Sequence, residues 1–559
     1  MAGSSGYVIC CSSAVMIKSV LHSNSSLALN RQVRPDLLKD NSFASISSRT
    51  PRDLGMIYTS QVRSASGIHR LPDEILSSIF FNAIQVYDND DPSEAAYFPL
   101  TISHTCSRWR KVSISTGSLW TSIRLCLPHS SNQLTYLKTW LSRSKFYSLD
   151  ILLDFRDEDW GWEEDDHLFT HDAANEIISI ILPHVKRWRH IEFFTDTWVP
   201  IHAFLNLTQD VVDLPVLKSV ALSRCNAYFA RKGECFKPVE MRRAIPLFGG
   251  AHLPALQDLS LVGVHVDWRR SILVNLLELE LKFHAYDVVP DLGEFVVILK
   301  SCPDLERLSI VGWGPRLDAT FTEPKRVMSM VKLTRFVFGF VDVEYAVMLL
   351  SLFRLPSICE LELEDVSAIV DPAGPSDATS ILNLLSLSST NSDSNSCFFP
   401  LYQIECLELR SIRSSEAVFA QFLHYFNSLE KIDLSDVDSA LLSSLGPQRF
   451  SPGPEPKIEV PHKVRSRRPS FVSSLSTSLA PCPQLVDLTC RRVDMSLLSS
   501  VIFARAEAGS GVRPLQLVQL ELDDDANESD DGASTTSGLS GRDRTSLLKT
   551  GVDLIINHA

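Results

Sequence analysis

Two histidines with acidic neighbours have the spacing that suits metal chemistry. His167 and His171 stand four residues apart, one turn of a helix, beside Asp165, Asp166 and Asp172. Imidazole nitrogens and carboxylate oxygens grouped in this way are ligands for a divalent metal. Two histidines at helical spacing are common by chance, however, and we interpret these as solvated loop residues. We therefore predict no metal site and no cofactor.

Signatures of other reactive sites are missing from the sequence. It holds no Gly-rich phosphate-binding loop, no His-Glu-x-x-His and no Gly-x-Gly-x-x-Gly after a strand. The serines between Gly3 and Gly6 and between Gly509 and Gly511 lie in predicted coil, not on the strand-to-helix turn that carries a hydrolase nucleophile. Nothing in the sequence argues for catalysis, and we predict that the chain is not an enzyme.

Composition narrows the class of partner. A net charge of −14 over 559 residues disfavours a nucleic-acid binder, which needs a basic face for phosphates. The 12 cysteines show no Cys-x-x-Cys spacing, so we expect reduced thiols and a cytoplasmic and/or nuclear protein. No apolar run reaches membrane-spanning length, and residues 7–21 lack the basic start of a signal peptide. We predict neither a nucleic-acid nor a membrane partner.

Residues 68–125 follow the period of three short amphipathic helices. Pro72, Asp73 and Glu74 suit the first turn of a helix. The N–H that Pro lacks would have no partner within the helix at that position, and the helix dipole favours negative charge there. The apolar stripes are Ile75/Leu76/Ile79/Phe80, Ile102/Cys106/Trp109 and Leu119/Trp120/Ile123. These stripes are too small to enclose a core, so the rest of the chain or another protein must cover them.

The order of these pieces resembles an F-box, the module that docks substrate receptors onto the Skp adaptor of cullin-based ubiquitin ligases. The resemblance rests on Leu-Pro-Asp-Glu-Ile-Leu at 71–76, Cys-x-x-Trp-Arg at 106–110 and Ser-Leu-Trp at 118–120, with a longer acidic loop from Tyr87 to Tyr97. This variant is similar to F-box proteins of mushroom-forming fungi. The alternative is a helical cap on the domain that follows.

The resemblance implies a set of adaptor-binding residues, some of which would instead pack between the helices. The set is Leu71, Pro72, Ile75, Leu76, Ile79, Phe80, Trp109, Leu119 and Trp120. We expect Leu76→Asp or Trp120→Ala to reduce adaptor binding more than the stability of the domain that follows.

An irregular Leu-x-x-Leu-x-Leu repeat fills most of the remaining chain. The copies begin at Leu217, Leu256, Leu276, Leu305, Leu333, Ile358, Ile404, Leu429, Leu485 and Leu517, with a degenerate copy at Trp188 and an edge strand at 149–155. Such units are typical of a leucine-rich-repeat solenoid, an α/β fold with parallel strands on the concave face and helices outside. An ordinary α/β sheet is the alternative for any single copy.

The repeats also predict a charged strand surface. Outward positions hold eleven acids against six bases, and the acids Glu278, Glu280, Glu360, Glu362 and Glu364 are candidates for binding a basic segment of a client protein. The excess of acids is explained equally well if these side chains only keep the surface solvated. Reversal of Glu360, Glu362 and Glu364 to Lys would test this hypothesis. Tryptophans in the acidic stretch 154–166 are either client anchors or buried against the first repeat.

These patterns predict six segments. Residues 1–66 are expected to be disordered, 67–126 to form the F-box-like module and 134–437 the solenoid, with a loose insertion at 371–398. A disordered Pro- and Arg-rich insertion follows at 438–481, terminal repeats at 482–524, and a mostly disordered tail at 525–559 with a short helix near 547–556. Together they predict a ubiquitin-ligase substrate receptor that binds a Skp adaptor, and cullin through it. The alternative is a repeat scaffold without a ligase role.

Overall fold

The structure, a computed structural model, describes residues 67–90, 92–157, 159–161, 166–224, 227–317, 328–371, 373–390, 399–446, 481–493, 495–507, 512–522 and 552–558. Contacts divide the chain into two compact units. The first comprises the described residues up to Ala227 together with Lys237–Val274, and the second comprises Tyr228–Phe236 and the chain from Asn275.

The first unit opens with helices. A 3-10 turn at Gly67–Arg70 leads into α1 (Asp73–Asp90), α2 (Pro92–Thr105), α3 (Ser107–Ser115) and a second 3-10 turn at Gly117–Trp120. Asp73 and Glu74 lie in the first turn of α1, as the helix dipole favours. The predicted acidic loop from Tyr87 to Tyr97 is wrong, because α1 and α2 take up the described residues of this stretch.

Five parallel strands alternate with helices in the rest of the first unit. They are β1 (Ser122–Cys126), β2 (Leu149–Asp154), β3 (Trp188–Thr195), β4 (Ser219–Arg224) and β5 (Asp258–Val262), each paired with the next. The helices are α4 (Ser131–Arg143), α5 (His171–Ile181) and α6 (Trp198–Leu207), with 3-10 turns at Leu182–Arg187, Ala227–Ala230 (which runs into the second unit), Val239–Met241 and Leu247–Gly250.

The second unit continues the same alternation. Its main parallel strands are β6 (Glu278–Lys282), β7 (Arg307–Val311), β9 (Arg335–Phe340), β11 (Glu360–Asp365), β12 (Cys406–Arg410), β13 (Lys431–Ser435), β14 (Asp487–Arg491), β15 (Leu517–Leu522) and β16 (Asp553–His558). A small second sheet pairs β8 (Met328–Ser329) with β10 (Phe353–Arg354). The helices are α7 (Leu292–Lys300), α8 (Val343–Leu350), α9 (Ser367–Val370), α10 (Thr379–Thr390), α11 (Glu416–His424), α12 (Ser439–Leu445) and α13 (Met495–Ala506), with a 3-10 turn at Leu401–Gln403.

The apolar repeat positions form the core of each unit. In the repeat that contains β7, the triplet Leu305, Leu308 and Ile310 is fully buried, and Leu308 and Ile310 pair in register with Phe336 and Phe338 of β9. Successive strands stack equivalent residues in this way because each one buries alternate side chains and exposes the others. The α/β fold with repeated parallel strands and returning helices is confirmed.

Several expectations about single elements are wrong. The segment predicted as a third helix becomes the turn Gly117–Trp120 followed by β1, so 149–155 is not an edge strand. The last repeat is Leu515/Val518/Leu520, two residues earlier than predicted, since Val518 and Leu520 pair with Leu488 and Cys490.

The predicted loose insertion at 371–398 contains α10, which buries Ile381, Leu382 and Leu385. The helix predicted near 547–556 is wrong at its end, because residues 553–558 form β16 against β15. The predicted start of the disordered insertion at 438 is wrong, because α12 (Ser439–Leu445) buries Leu441, Leu442 and Leu445. Residues 1–66, 447–480 and 523–551 lie outside the described residues.

Candidate functional site

The first helix divides its apolar residues between the interior and the surface. Leu76 and Phe80 are buried, and the Phe80 ring packs on Trp109 with centroids 4.9 Å apart. Arg108 of α3 fixes the start of α1, because its Nε and Nη2 donate to Asp73 Oδ1 at 3.0 and 2.8 Å. The same guanidinium donates to the Leu71 carbonyl. One side of α1 is therefore fully occupied by its own module.

A neighbouring face of α1, about 100° around the helix from Leu76 and Phe80, carries apolar residues that the described chain covers only in part. Ile75 is 46% exposed and Ile79 is 41% exposed, Pro72 is exposed, and Leu71 is half-buried. Positions 72, 75 and 79 follow each other along one helix face at i, i+3 and i+7. We call Leu71, Pro72, Ile75 and Ile79 the helix face. A strip of this kind on a soluble protein marks a surface that a partner can cover.

Trp120 belongs to the interior and ties the helices to the first repeat. Its indole N–H donates to the Ser113 carbonyl at 2.9 Å, and its ring meets Trp140 of α4 edge-on at 4.8 Å. Arg143 lies over the same ring at 4.4 Å. Trp120, Ile123 and Leu125 also have the spacing of a repeat triplet, and all three are buried.

The predicted adaptor set is thus split by the fold. Leu76, Phe80, Leu119 and Trp120 are buried, Trp109 and Leu71 are half-buried, and Pro72, Ile75 and Ile79 are exposed. Leu76→Asp and Trp120→Ala are consequently poor tests of adaptor binding, because both changes would damage the core of the module.

The charged side chains on the outward positions of β6 to β14 in the second unit compensate one another. We call this surface the strand face; its acids are Glu278, Glu280, Glu360, Glu362, Glu364, Glu408, Asp433 and Asp487, and its bases are Lys282, Arg307, Arg335, Arg410, Lys431 and Arg491. Eight acids against six bases leave an excess of two negative charges. The eleven acids predicted on outward positions also included Asp258, Glu521 and Asp523, which lie outside β6 to β14.

Ion pairs run across neighbouring strands of this face. Arg307 Nε donates to Glu278 Oε2 at 2.7 Å, and Lys282 pairs with Glu280 on its own strand. Arg335 lies 3.4 Å from Glu360 and 3.6 Å from Glu362, and Arg491 lies 3.4 Å from Asp433. Arg410 pairs with Glu408 and approaches Glu362 at 3.4 Å. The three like charges predicted on β11 are thus balanced from within the unit.

Glu362 and Glu364 are the least solvated acids of the strand face. Burial, with Glu408 nearby, raises the pKa of Glu362 to about 7 although Arg410 opposes the shift. Glu364 is only 3% exposed, and burial raises its pKa against the opposing charges of Arg410 and Lys282. Of the three glutamates on β11, Glu360 alone has a side chain that is nearly half exposed, at 46%.

The described residues in and just after the acidic stretch that follows β2 pack against their neighbours. Trp160 is buried and packs edge-on against His167, with centroids 5.5 Å apart. His167 is buried as well, so its interpretation as a solvated residue is wrong. Its Nδ1 accepts the Phe169 N–H at 3.0 Å, which leaves Nε2 to donate to Asp196 Oδ2 at 3.0 Å. Trp162 lies outside the described residues.

Metal and membrane features are absent from the part of the chain that the structure describes. No group of three or more His, Cys, Asp or Glu side chains there is placed to hold a metal ion. No helix in the same ranges has the length and apolarity needed to cross a bilayer.

Comparisons with known proteins give structural likeness only. No family model and no curated protein matches the chain. A chain from the crystal structure of the Rad7 and Elc1 complex in yeast is similar, with a TM-score of 0.32 and 12% identity over 81% of this chain and 89% of that chain. A chain of the TLR13–ssRNA13 complex is similar with a TM-score of 0.25 and 13% identity. That match covers 67% of this chain and 45% of the other, so this chain spans less than half of its length.

Proposed function

We propose that the chain is a non-catalytic substrate receptor of a Skp–cullin–F-box ubiquitin ligase. In this proposal the Skp adaptor docks on the helix face and cullin joins through the adaptor, while the repeats hold a client protein. Ubiquitin transfer then belongs to the partners, and this chain contributes proximity and orientation.

The observation that carries the proposal is the division of α1. Its inner side is filled by Leu76 and Phe80, whereas Ile75 and Ile79 remain at the surface of a segment whose sequence resembles an F-box. Just under half of each side chain is exposed, so burying the rest of both in a partner is worth about 1–3 kcal/mol before the costs of association. A helical cap with no partner has no use for this apolar strip.

The proposal is tested by binding of the full chain to a purified Skp adaptor, measured by calorimetry. We expect Ile75→Asp and Ile79→Asp each to weaken binding by at least ~10-fold, because each would place an unpaired charge in an apolar contact. Neither change should alter the free energy of unfolding by more than about 0.5 kcal/mol, since both positions are exposed.

Two control variants separate docking from folding. Thr135→Asp adds the same charge to an exposed position of α4 and should bind normally. Leu76→Ala should lower stability by about 2–4 kcal/mol, because Leu76 is fully buried. A well-folded wild-type chain that does not bind the adaptor would favour the alternative, a repeat scaffold without a ligase role.

For the client we propose a segment that carries Lys or Arg, recognised on the strand face. The proposal rests on the excess of two acids there and on the accessible carboxylate of Glu360. Glu360 lies 3.4 Å from Arg335, but its side chain is 46% exposed, whereas those of Glu278, Glu280 and Glu362 are 14%, 15% and 12% exposed and Glu364 is buried. A basic client would therefore make its first contact at Glu360.

A further inference from the structure

An extra segment separates the repeat of β13 from the repeat of β14. Leu429 and Leu485 begin these two repeats 56 residues apart, whereas Leu429 follows Ile404, the start of the repeat before it, by 25 residues. Residues 447–480, which lie outside the described ranges, supply 34 of the 56, and without them the spacing is 22. Leucine-rich repeats are about 20–29 residues long, so a complete repeat remains when this segment is left out.

The two ends of the segment meet at one buried side chain. Arg505 of α13 donates from Nη1 to the Leu445 carbonyl at 3.2 Å and to the Pro481 carbonyl at 3.0 Å. Its Nη2 donates to the Cys482 carbonyl at 2.9 Å. Leu445 is the last residue of α12, and Pro481 is the first residue described after the segment. Because Arg505 is only 2% exposed, bulk water cannot replace these hydrogen bonds.

A repeat without an extra segment shows what this guanidinium replaces. The order Cys-Pro-x-Leu occurs at 302–305 before β7 and at 482–485 before β14, and in both turns the Leu N–H donates to the Cys carbonyl at 3.2 Å. In the β7 repeat the Cys302 N–H also donates to the Leu299 carbonyl of α7 at 3.1 Å, which ties the end of the helix directly to the turn. Before β14, the end of α12 and the turn are tied through Arg505.

The strands on either side pair as though no segment separated them. β13 and β14 match at five consecutive positions. The Glu430 carbonyl accepts the N–H groups of Val486 and Asp487, both at 3.0 Å. The helices that follow the two strands, α12 and α13, contact each other as well. The strand face is therefore continuous across the point where the segment enters.

We propose that Arg505 is a clamp that makes the folded repeats independent of residues 447–480. The clamp fixes Leu445 and Pro481 whatever lies between them. Binding, modification or cleavage inside the segment would then leave β13, β14 and the strand face in place. The inference goes beyond the proposed function, because it requires neither an adaptor nor a client.

The first experiment replaces residues 447–480 of the full chain with the linker Gly-Ser-Gly-Ser. The thermal unfolding midpoint should stay within about 2 °C of the wild-type value, because every residue that Arg505 contacts is retained. Replacing residues 379–390 with the same linker is the matched control. That change removes α10, which buries Ile381, Leu382 and Leu385, and should lower the midpoint by more than about 10 °C. A loss of that size in the first variant would make residues 447–480 part of the folded repeats and overturn the inference.

The second experiment measures amide hydrogen exchange by mass spectrometry in the full chain. Arg505→Met removes the three hydrogen bonds, and the amides at 485–487 should exchange at least ~10-fold faster than in wild type. The corresponding amides at 305–307, in the β7 repeat, are the internal control and should exchange as in wild type. Arg505→Lys keeps a cation but lacks the forked guanidinium, so it should accelerate exchange at 485–487 by a smaller factor.

Two results of the exchange experiment would overturn the inference. Unchanged exchange at 485–487 would show that Arg505 does not hold the turn before β14. Equal acceleration at 305–307 would show that Arg505 stabilises the whole unit rather than the two ends of the segment. If Arg505→Met does not fold, Arg505→Lys decides between these results. Neither experiment involves an adaptor, so the inference and the proposed function fail separately.

Discussion

At the scale of single residues, chemical type predicted burial less well than helix position did. Ile75 and Leu76 are adjacent, similar in size and part of one predicted stripe, yet Ile75 is half-exposed and Leu76 is fully buried. The difference arises because α2, α3 and the turn at 117–120 pack against α1 and bury one face of it, whereas Ile75 lies about 100° around the helix from Leu76 and stays nearly half exposed. The adaptor variants chosen from sequence alone would have tested folding instead of docking.

The raised pKa of Glu362 predicts that the free energy of unfolding depends on pH. The folded chain keeps a proton on Glu362 up to about pH 7, whereas an unfolded chain releases it near 4.5. Between these values the folded state binds more protons, so the free energy of unfolding falls as the pH rises, by up to about 3 kcal/mol. This contribution to stability is present below pH 4.5 and is lost above pH 7. Glu408 and Glu364 act in this direction, and Arg410 and Lys282 oppose it.

Chemical denaturation at pH 5 and pH 8 measures this effect. Glu362→Gln should lose less stability than wild type between the two pH values, because it has no carboxyl group to ionise. Glu360→Gln, on the same strand but with a far more exposed side chain, should keep the wild-type dependence. Equal pH dependence in wild type and Glu362→Gln would show that Glu362 ionises normally in the folded chain.

At the scale of elements, strand pairing decided where repeats begin and which charges meet. The apolar triplet of β15 starts at Leu515 because its residues must align with Leu488 and Cys490, although Leu517, Leu520 and Leu522 fit the written pattern equally well. Residues 371–398 were predicted as a loose insertion because they are rich in Ser, Asn and Asp, yet α10 within them buries Ile381, Leu382 and Leu385. Local composition could not distinguish these alternatives.

The strand face predicts that a client protein contacts Glu360 through a basic segment. Reversing all three glutamates of β11 would place Lys beside Arg410 and Lys282 and would disturb the sheet, so the single change Glu360→Lys is the cleaner test. Cross-linking followed by mass spectrometry should show that this variant loses contacts to basic client segments. Glu416→Lys, which makes the same charge change in the first turn of α11, should retain them. An unchanged set of cross-linked clients would remove Glu360 from the recognition surface.

At the scale of the whole molecule, the helical segment and the first repeats belong to one compact unit. Trp120 is the side chain that joins them, since it closes the helical module and also occupies the first triplet position of the strand that follows. Its aromatic partner Trp140 and its cation Arg143 both lie beyond residue 126. The predicted boundary at 126 would cut through this shared core.

A series of truncated chains tests whether the helical module needs the first repeat in order to fold. A fragment of residues 67–126 should show little cooperative thermal unfolding by circular dichroism, because it lacks the side chains that bury Trp120. A fragment of residues 67–274, which retains α4 and the five strands of the first unit, should unfold cooperatively. A sharp transition in the short fragment would mean that the helices form an independent domain, and adaptor binding could then be studied with them alone.

The sequence by itself determined the repeated architecture, the order of the helical pieces and most of the buried triplets. It could do so because burial of alternate strand residues and of one helix stripe is a local requirement, written into the spacing of apolar residues. Tertiary structure alone decided which side of α1 stays at the surface, which acids meet a base, and that Leu445 and Pro481 meet at Arg505. These outcomes depend on which distant segments become neighbours, and spacing along the chain does not contain that information.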